Sequence, residues 1–179
     1  MKFVNDATVP FTADQIDLPQ WLFAMTDQEY QAVSPAHRAL GTFIADGVRG
    51  MVNVEVMGGA LVIQHYREVQ ATKSRVEMYS ARSRAYLMHV IPVSMEARWT
   101  MSVTPRTADT STFLCSVEVV PPAWLRSLMG VIGIRRAVRK HVEQETEAYA
   151  ADLSRKLQPE IVHEPKLGAD ERRLHLVMQ

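Results

Sequence analysis

One cysteine, Cys115, stands in 179 residues, which excludes an internal disulfide and any zinc site built on several thiolates. An excess of either charge is also missing. Twenty basic residues balance twenty acidic ones, so no global field draws the chain to nucleic acid or to an anionic membrane. No run reaches the roughly 18 uninterrupted apolar residues of a membrane span, and MKFVNDATVPFTADQ has no apolar stretch of signal-peptide length. There is no Gly-rich phosphate loop, internal repeat or low-complexity tract. The histidines at 37, 65, 89, 141, 163 and 175 contain no HExxH, and no His/carboxylate spacing among them reads as a metal site. These absences lead to the expectation of a cytoplasmic protein with no metal, no cofactor and no nucleic-acid partner. What is present is a 47% hydrophobic composition, enough for one sizeable core at this length.

Helix-start signals dominate from Pro10 to Gly41. Pro19 after Leu18 suits a first helical turn, Thr26 with Glu29 spells a capping box, and Ser34-Pro35 reads as another cap with a first-turn proline. Two or three short helices are expected there. From about Gly50 to Val120 the pattern changes to alternating, β-branched and aromatic runs, giving six strands: roughly 50–57, 60–69, 74–80, 84–91, 94–104 and 111–120.

Gly58-Gly59 is a favoured two-residue turn and pairs Met57 with Ala60. Val52, Val54 and Val56 then lie opposite His65, Ile63 and Leu61 on one face, which is read as the apolar one. Asn53 and Glu55 lie opposite Gln64 and Val62 on the other. In the last two strands Met95, Ala97, Trp99, Met101 and Val103 point one way, and Phe113, Cys115, Val117 and Val119 continue that apolar face. The cover is expected from Pro122 to about Leu157. There Trp124, Leu128, Val131, Ile132, Val138, Val142, Tyr149 and Leu153 fall on one helical stripe. Gly130 and Gly133 inside it mark a bend or a close backbone approach.

Helices first, then an antiparallel meander, then one long amphipathic helix is the order of the helix-grip fold. With the strand run GGALVIQHYREV and the helix PPAWLRSLMGVIGIRRAVRKHVEQETEAYAADLSRKL, the chain resembles the Bet v 1-like or START-like (SRPBCC) superfamily, which includes lipid-transfer domains and bacterial polyketide cyclases. The resemblance covers about residues 11–157, with 1–10 as a tail or edge strand and 158–179 as a C-terminal tail. It implies an α+β fold of six to seven curved antiparallel strands wrapped around the long helix. It also implies an internal cavity for an apolar or aromatic small molecule, though a fold does not transfer an activity.

On the register above, His65 enters the apolar interior and is the first candidate for a general acid or base, or for a ligand anchor. Its alternative is a core histidine with a backbone partner, or one near the sheet margin. Arg67 is read as a rim residue and Tyr66 as a surface aromatic. His89 joins the interior if the turn is Ala81-Arg82, whereas a one-residue slip turns Tyr86 and Met88 inward instead. Met95, Trp99, Met101 and Phe113 form a polarizable wall that suits an aromatic or acyl ligand and equally suits plain core packing. Cys115 is read as a small buried lining residue rather than a nucleophile. Arg135 and Arg139 belong to a solvated face, or one of them reaches inward toward an anionic ligand. The leading expectation is binding of an apolar or aromatic small molecule. An enzyme reading competes with it, a cyclase, dehydratase or isomerase of polyketide-like substrates using His65 and His89. A third reading is an interaction module that homodimerises through the helix.

Overall fold

The computed structural model describes residues 1–126 and 133–158. Its strands are β1 (Lys2–Val9), β2 (His37–Ala45), β3 (Val48–Met57), β4 (Ala60–Thr72), β5 (Arg75–Leu87), β6 (Ile91–Pro105) and β7 (Ser111–Val120). They form one antiparallel sheet in the order β1-β7-β6-β5-β4-β3-β2. Between β1 and β2 lie a single 3-10 turn over Ala13–Gln15 and two short helices, α1 (Leu18–Phe23) and α2 (Asp27–Val33). The long helix α3 (Ile134–Leu157) packs on β1, β7 and β3. This is the α+β helix-grip arrangement expected from the sequence.

Local chemistry explains most of these boundaries. Asp17 caps α1 by accepting a hydrogen bond from the Gln20 N–H, with Pro19 in the first turn. Thr26 and Glu29 form the expected capping box of α2. Two tight hairpins carry positive φ at both central residues, Asp46 and Gly47 (54° and 74°) and Gly58 and Gly59 (57° and 77°).

Four expectations are corrected. Residues 37–41 are not helical: His37–Ala45 is strand β2, paired with β3 and closed by Asp46-Gly47. The two strands placed at 74–80 and 84–91 are one strand, β5. Its register against β6 shifts between Ser80 and Ser83 rather than turning at Ala81-Arg82, and the chain turns instead at 88–90. The first hairpin has the predicted register, Met57 with Ala60 and Val52 with His65, but its faces are reversed. Met51, Asn53, Glu55, Val62, Gln64 and Tyr66 are buried, while His65 is exposed. Asn53, Glu55 and Gln64 share the inward face of this hairpin with Met51, Val62 and Tyr66, so the rule that the apolar face points inward fails there. Finally, the irregularity expected at Gly133 is a helix start, its left-handed φ of 75° opening α3, and Trp124 is 57% exposed whereas Leu125 is buried. Val138, Val142, Tyr149 and Leu153 are buried as expected. Leu128, Gly130, Val131, Ile132 and the segment 159–179 lie outside the described residues.

The main core runs from α1 and α2 across the sheet to the end of α3. Trp21 meets Tyr149 edge-on at 5.4 Å, and Trp99 lies 5.9 Å from Tyr149 and 5.8 Å from Tyr66. A smaller cluster of Phe3, Val138 and Val142 ties β1 to α3.

Candidate functional site

The inward residues of β3 to β7 and one face of α3 line a cavity of about 70 Å³. Its walls are apolar, with Val62, Ala85, Leu87, Met95, Trp99 and Val138 among them. One end is polar: Asn53, Glu55, Gln64, His141 and Glu145 all line it. Strand alternation puts Asn53 and Glu55 on the inward face beside Gln64, and the helical spacing of four places His141 and Glu145 on one side of α3.

Behind this end lies His37, the first residue of β2, whose side chain is fully buried. Its Nδ1 is 2.7 Å from the Tyr30 carbonyl oxygen, so Nδ1–H donates there and, in the neutral ring, Nε2 carries the lone pair. Tyr30 stacks on the imidazole, with ring centroids 3.8 Å apart, and its hydroxyl donates to Glu55 Oε1 at 2.7 Å. His37 Nε2 stands 3.5 Å from Glu145 Oε1, His141 Nε2 is 3.7 Å from Glu55 Oε2 and 3.9 Å from Glu145 Oε2, and His141 Nδ1 lies 3.4 Å from Ser34 Oγ. His37, Glu55, His141 and Glu145 therefore form one buried cluster, each offering an atom within 4.8 Å of the others.

The electrostatics of the two carboxyls diverge. Burial pushes Glu55 above the usual carboxylate range, against the opposing pull of His141. Burial also acts on Glu145, but the two histidines outweigh it and hold that carboxyl below its ordinary value. His37 is raised, since Glu145 overcomes the effect of burial. Tyr30, Tyr66 and Tyr149 are all pushed up, by burial first and by the neighbouring glutamate charge second. Among the described residues, His37 Nε2, His141 Nε2, Asn53 Oδ1, Gln64 Oε1 and the Tyr149 hydroxyl are buried without a hydrogen-bond partner. All five belong to this end of the molecule, where a buried polar atom without a partner calls for an explanation.

The residues singled out in the sequence divide. Trp99 and Met95 line the cavity. Met101, Phe113 and Cys115 are on the inward face but fully buried in the packed core, where Cys115 accepts a hydrogen bond from Trp99 Nε1 at 3.3 Å and burial raises its thiol. His65 is corrected to the outer face. His89 is corrected to the β5–β6 turn, exposed and with a φ of 65°. Arg135 and Arg139 are exposed, and Arg67 is exposed and pairs with Asp46 at 3.2 Å. Tyr66 is not a surface aromatic but is 2% exposed. His37, Glu55, His141 and Glu145 were missed, although the spacing of His141 and Glu145 was visible as an i, i+4 pair.

No family model matches the chain, and no curated protein matches it. Solved structures do. TTHA0849 from Thermus thermophilus superposes with a TM-score of 0.62 at 11% identity, over 87% of this chain and 99% of that one. The Zhui aromatase/cyclase from Streptomyces sp. R1128 gives 0.54 at 12% identity, over 88% of this chain and 96% of that one. Norcoclaurine synthase from Thalictrum flavum gives 0.50 at 11% identity, over 86% of each. At such identities the likeness speaks for the fold and not for a reaction. Sheet order, the long closing helix and these superpositions agree: the chain has the helix-grip fold.

Proposed function

We propose that this protein binds a small molecule with an apolar or aromatic body and a polar head in the cavity between β3–β7 and α3. One observation carries the reading: apolar walls end at buried amides whose oxygens, Asn53 Oδ1 and Gln64 Oε1, have no partner. A pocket with apolar walls and a few convergent polar groups is the usual form of a small-molecule site. At about 70 Å³ the cavity is smaller than the roughly 150 Å³ space that takes up benzene, so a single ring enters only with some side-chain rearrangement. Trp99 on the wall supplies the readout. In a chain carrying Trp21→Phe and Trp124→Phe, titration with single-ring phenols and their deoxy analogues changes Trp99 emission for both. Gln64→Leu then weakens the phenols selectively, by about 1–3 kcal/mol, because only they lose a buried hydrogen bond. Unchanged Trp99 emission across the panel overturns the reading.

A second reading, proton-transfer catalysis on a polyketide-like substrate, is favoured by the opposite shifts of Glu55 and Glu145. Two titratable groups pushed apart beside one cavity are suited to act as acid and base. Among the described residues the histidine on the cavity wall is His141, and on this reading it and its carboxylate partners take the acid–base role expected of His65 and His89. A cyclisation or dehydration assay on a small polyketide mimic, with Glu55→Gln as the diagnostic variant, separates a catalyst from a carrier. Turnover that survives this substitution removes Glu55 as the acid.

A further inference from the structure

We propose that His37, Glu55, His141 and Glu145 form a binding site for one divalent first-row transition metal, Zn²⁺ being the simplest occupant, at the polar end of the cavity. The donor set is two imidazole nitrogens and two carboxylate oxygens, a combination suited to such metals. All four side chains are buried, and their donor atoms lie within 4.8 Å of one another. A tetrahedral ion with bonds of about 2.0–2.1 Å has ligand atoms roughly 3.3–3.4 Å apart. The His37–Glu145 and His141–Glu55 separations of 3.5 and 3.7 Å are already close to that spacing, and modest side-chain rotation brings in the rest.

Two independent features point to an ion rather than to a closed hydrogen-bond network. With neutral imidazoles, the buried Nε2 atoms of His37 and His141 point into the cluster and have no hydrogen-bond partner among the described residues, the nearest carboxylate oxygens standing 3.5 and 3.7 Å away, an arrangement that is costly unless something accepts their lone pairs. The outer contacts also have the form that metal ligands require. His37 donates Nδ1–H to the Tyr30 carbonyl, His141 Nδ1 faces Ser34 Oγ, and Glu55 is held by the Tyr30 hydroxyl. Such contacts fix the imidazole tautomer and orient the carboxylate. The charges agree as well, because two carboxylates and a divalent ion sum to zero inside a dry site, whereas two buried carboxylates alone must share protons or pair imperfectly with imidazolium. Glu55, His141 and Glu145 also line the cavity, so the ion faces the space assigned to the ligand. The metal site does not depend on that ligand, nor on the acid–base reading, which applies to the same atoms in their metal-free form.

The test uses the full chain, stripped with a chelator and titrated with Zn²⁺ by calorimetry and with Co²⁺ by visible absorption. The expected result is one equivalent bound, a strong d–d spectrum of four-coordinate Co²⁺ and its displacement by Zn²⁺. His37→Gln and Glu145→Gln should lose this binding, and Tyr30→Phe should weaken it by roughly 10–100-fold through loss of its outer contact to Glu55. His65→Ala and His89→Ala should leave it unchanged. Absence of the four-coordinate spectrum from the wild-type chain overturns the proposal even if the ligand variants fail to fold. Stoichiometric binding that persists in folded His37→Gln and Glu145→Gln chains overturns it too, by placing the ion elsewhere.

Discussion

Neighbouring residues of β4 have opposite fates. His65 is exposed, and Gln64 and Tyr66 on either side of it are buried. His65→Ala should therefore change stability by no more than about 0.5 kcal/mol, as surface substitutions do. Tyr66→Ala should cost about 3–5 kcal/mol, because it empties an aromatic volume against Trp99. Urea midpoints at constant slope measure both, and a reversal of the two values would return His65 to the interior. The turn at Gly58-Gly59 was legible to the residue, since its chemistry is local. Which face points inward was not, because Asn53, Glu55 and Gln64 look like solvent-facing residues until the helix carrying His141 and Glu145 is laid over them. Tyr66 was assigned to the surface by the same inverted parity. His37 and Glu55 meet only through the pairing of β2 with β3 and the cover of α3, contacts that no local spacing announces.

At the scale of elements, the Thr26–Glu29 capping box and Pro19 in the first turn of α1 were legible, whereas Ser34-Pro35 opens no helix and strand continuity was not legible. The shift between Ser80 and Ser83 lets one strand change the parity of its inward residues, from Val76 and Met78 to Ala85 and Leu87, and a change of parity resembles a turn when only alternation is visible. Asp46-Gly47 was a hairpin signal available in the sequence, overshadowed by the helix signals of Ser34-Pro35 just upstream. The capping box of α2 gives a pH prediction. The backbone N–H of Thr26, and after it Lys156, hold Glu29 down to about 2, against an ordinary value of 4.5. The carboxylate form is thus favoured in the folded chain, so its contribution is complete above pH about 4.5 and is lost as pH falls toward 2. Glu29→Gln keeps a side chain able to cap but removes the charge. Its stability relative to wild type should rise as pH drops through that window, measured by urea unfolding at a series of pH values. A constant difference between the two chains across the window would show that the charge of Glu29 does not matter to α2. Thr26→Ala, which removes the cap itself, should cost about 1 kcal/mol at neutral pH.

At the scale of the whole molecule, the closing helix depends on the N-terminal strand, whose residues look in the sequence like a tail or an edge strand. β1 pairs with β7 from Lys2↔Glu118 to Val9↔Ser111, and the Met1 ammonium donates to the Val119 carbonyl at 2.6 Å. Phe3 sits under α3 against Val138 and Val142. Those two valines also line the cavity, and Phe3 does not. One turn further along α3, His141 and Glu145 reach the polar end, so the seating of the helix on β1 fixes the apolar wall and the buried cluster together. Phe3→Ala should cost about 3–5 kcal/mol in stability. It should also weaken cavity ligands and metal alike without touching either, because a helix that shifts by a fraction of an ångström moves His141 and Glu145 relative to His37 and Glu55. The comparison is made well below the melting temperature of the variant, by calorimetric titration with Zn²⁺ and with a single-ring phenol. Loss of stability with both affinities unchanged would mean that α3 is held in place by Tyr149, Ala150 and Leu153 in the main core, and that β1 only seals the sheet edge.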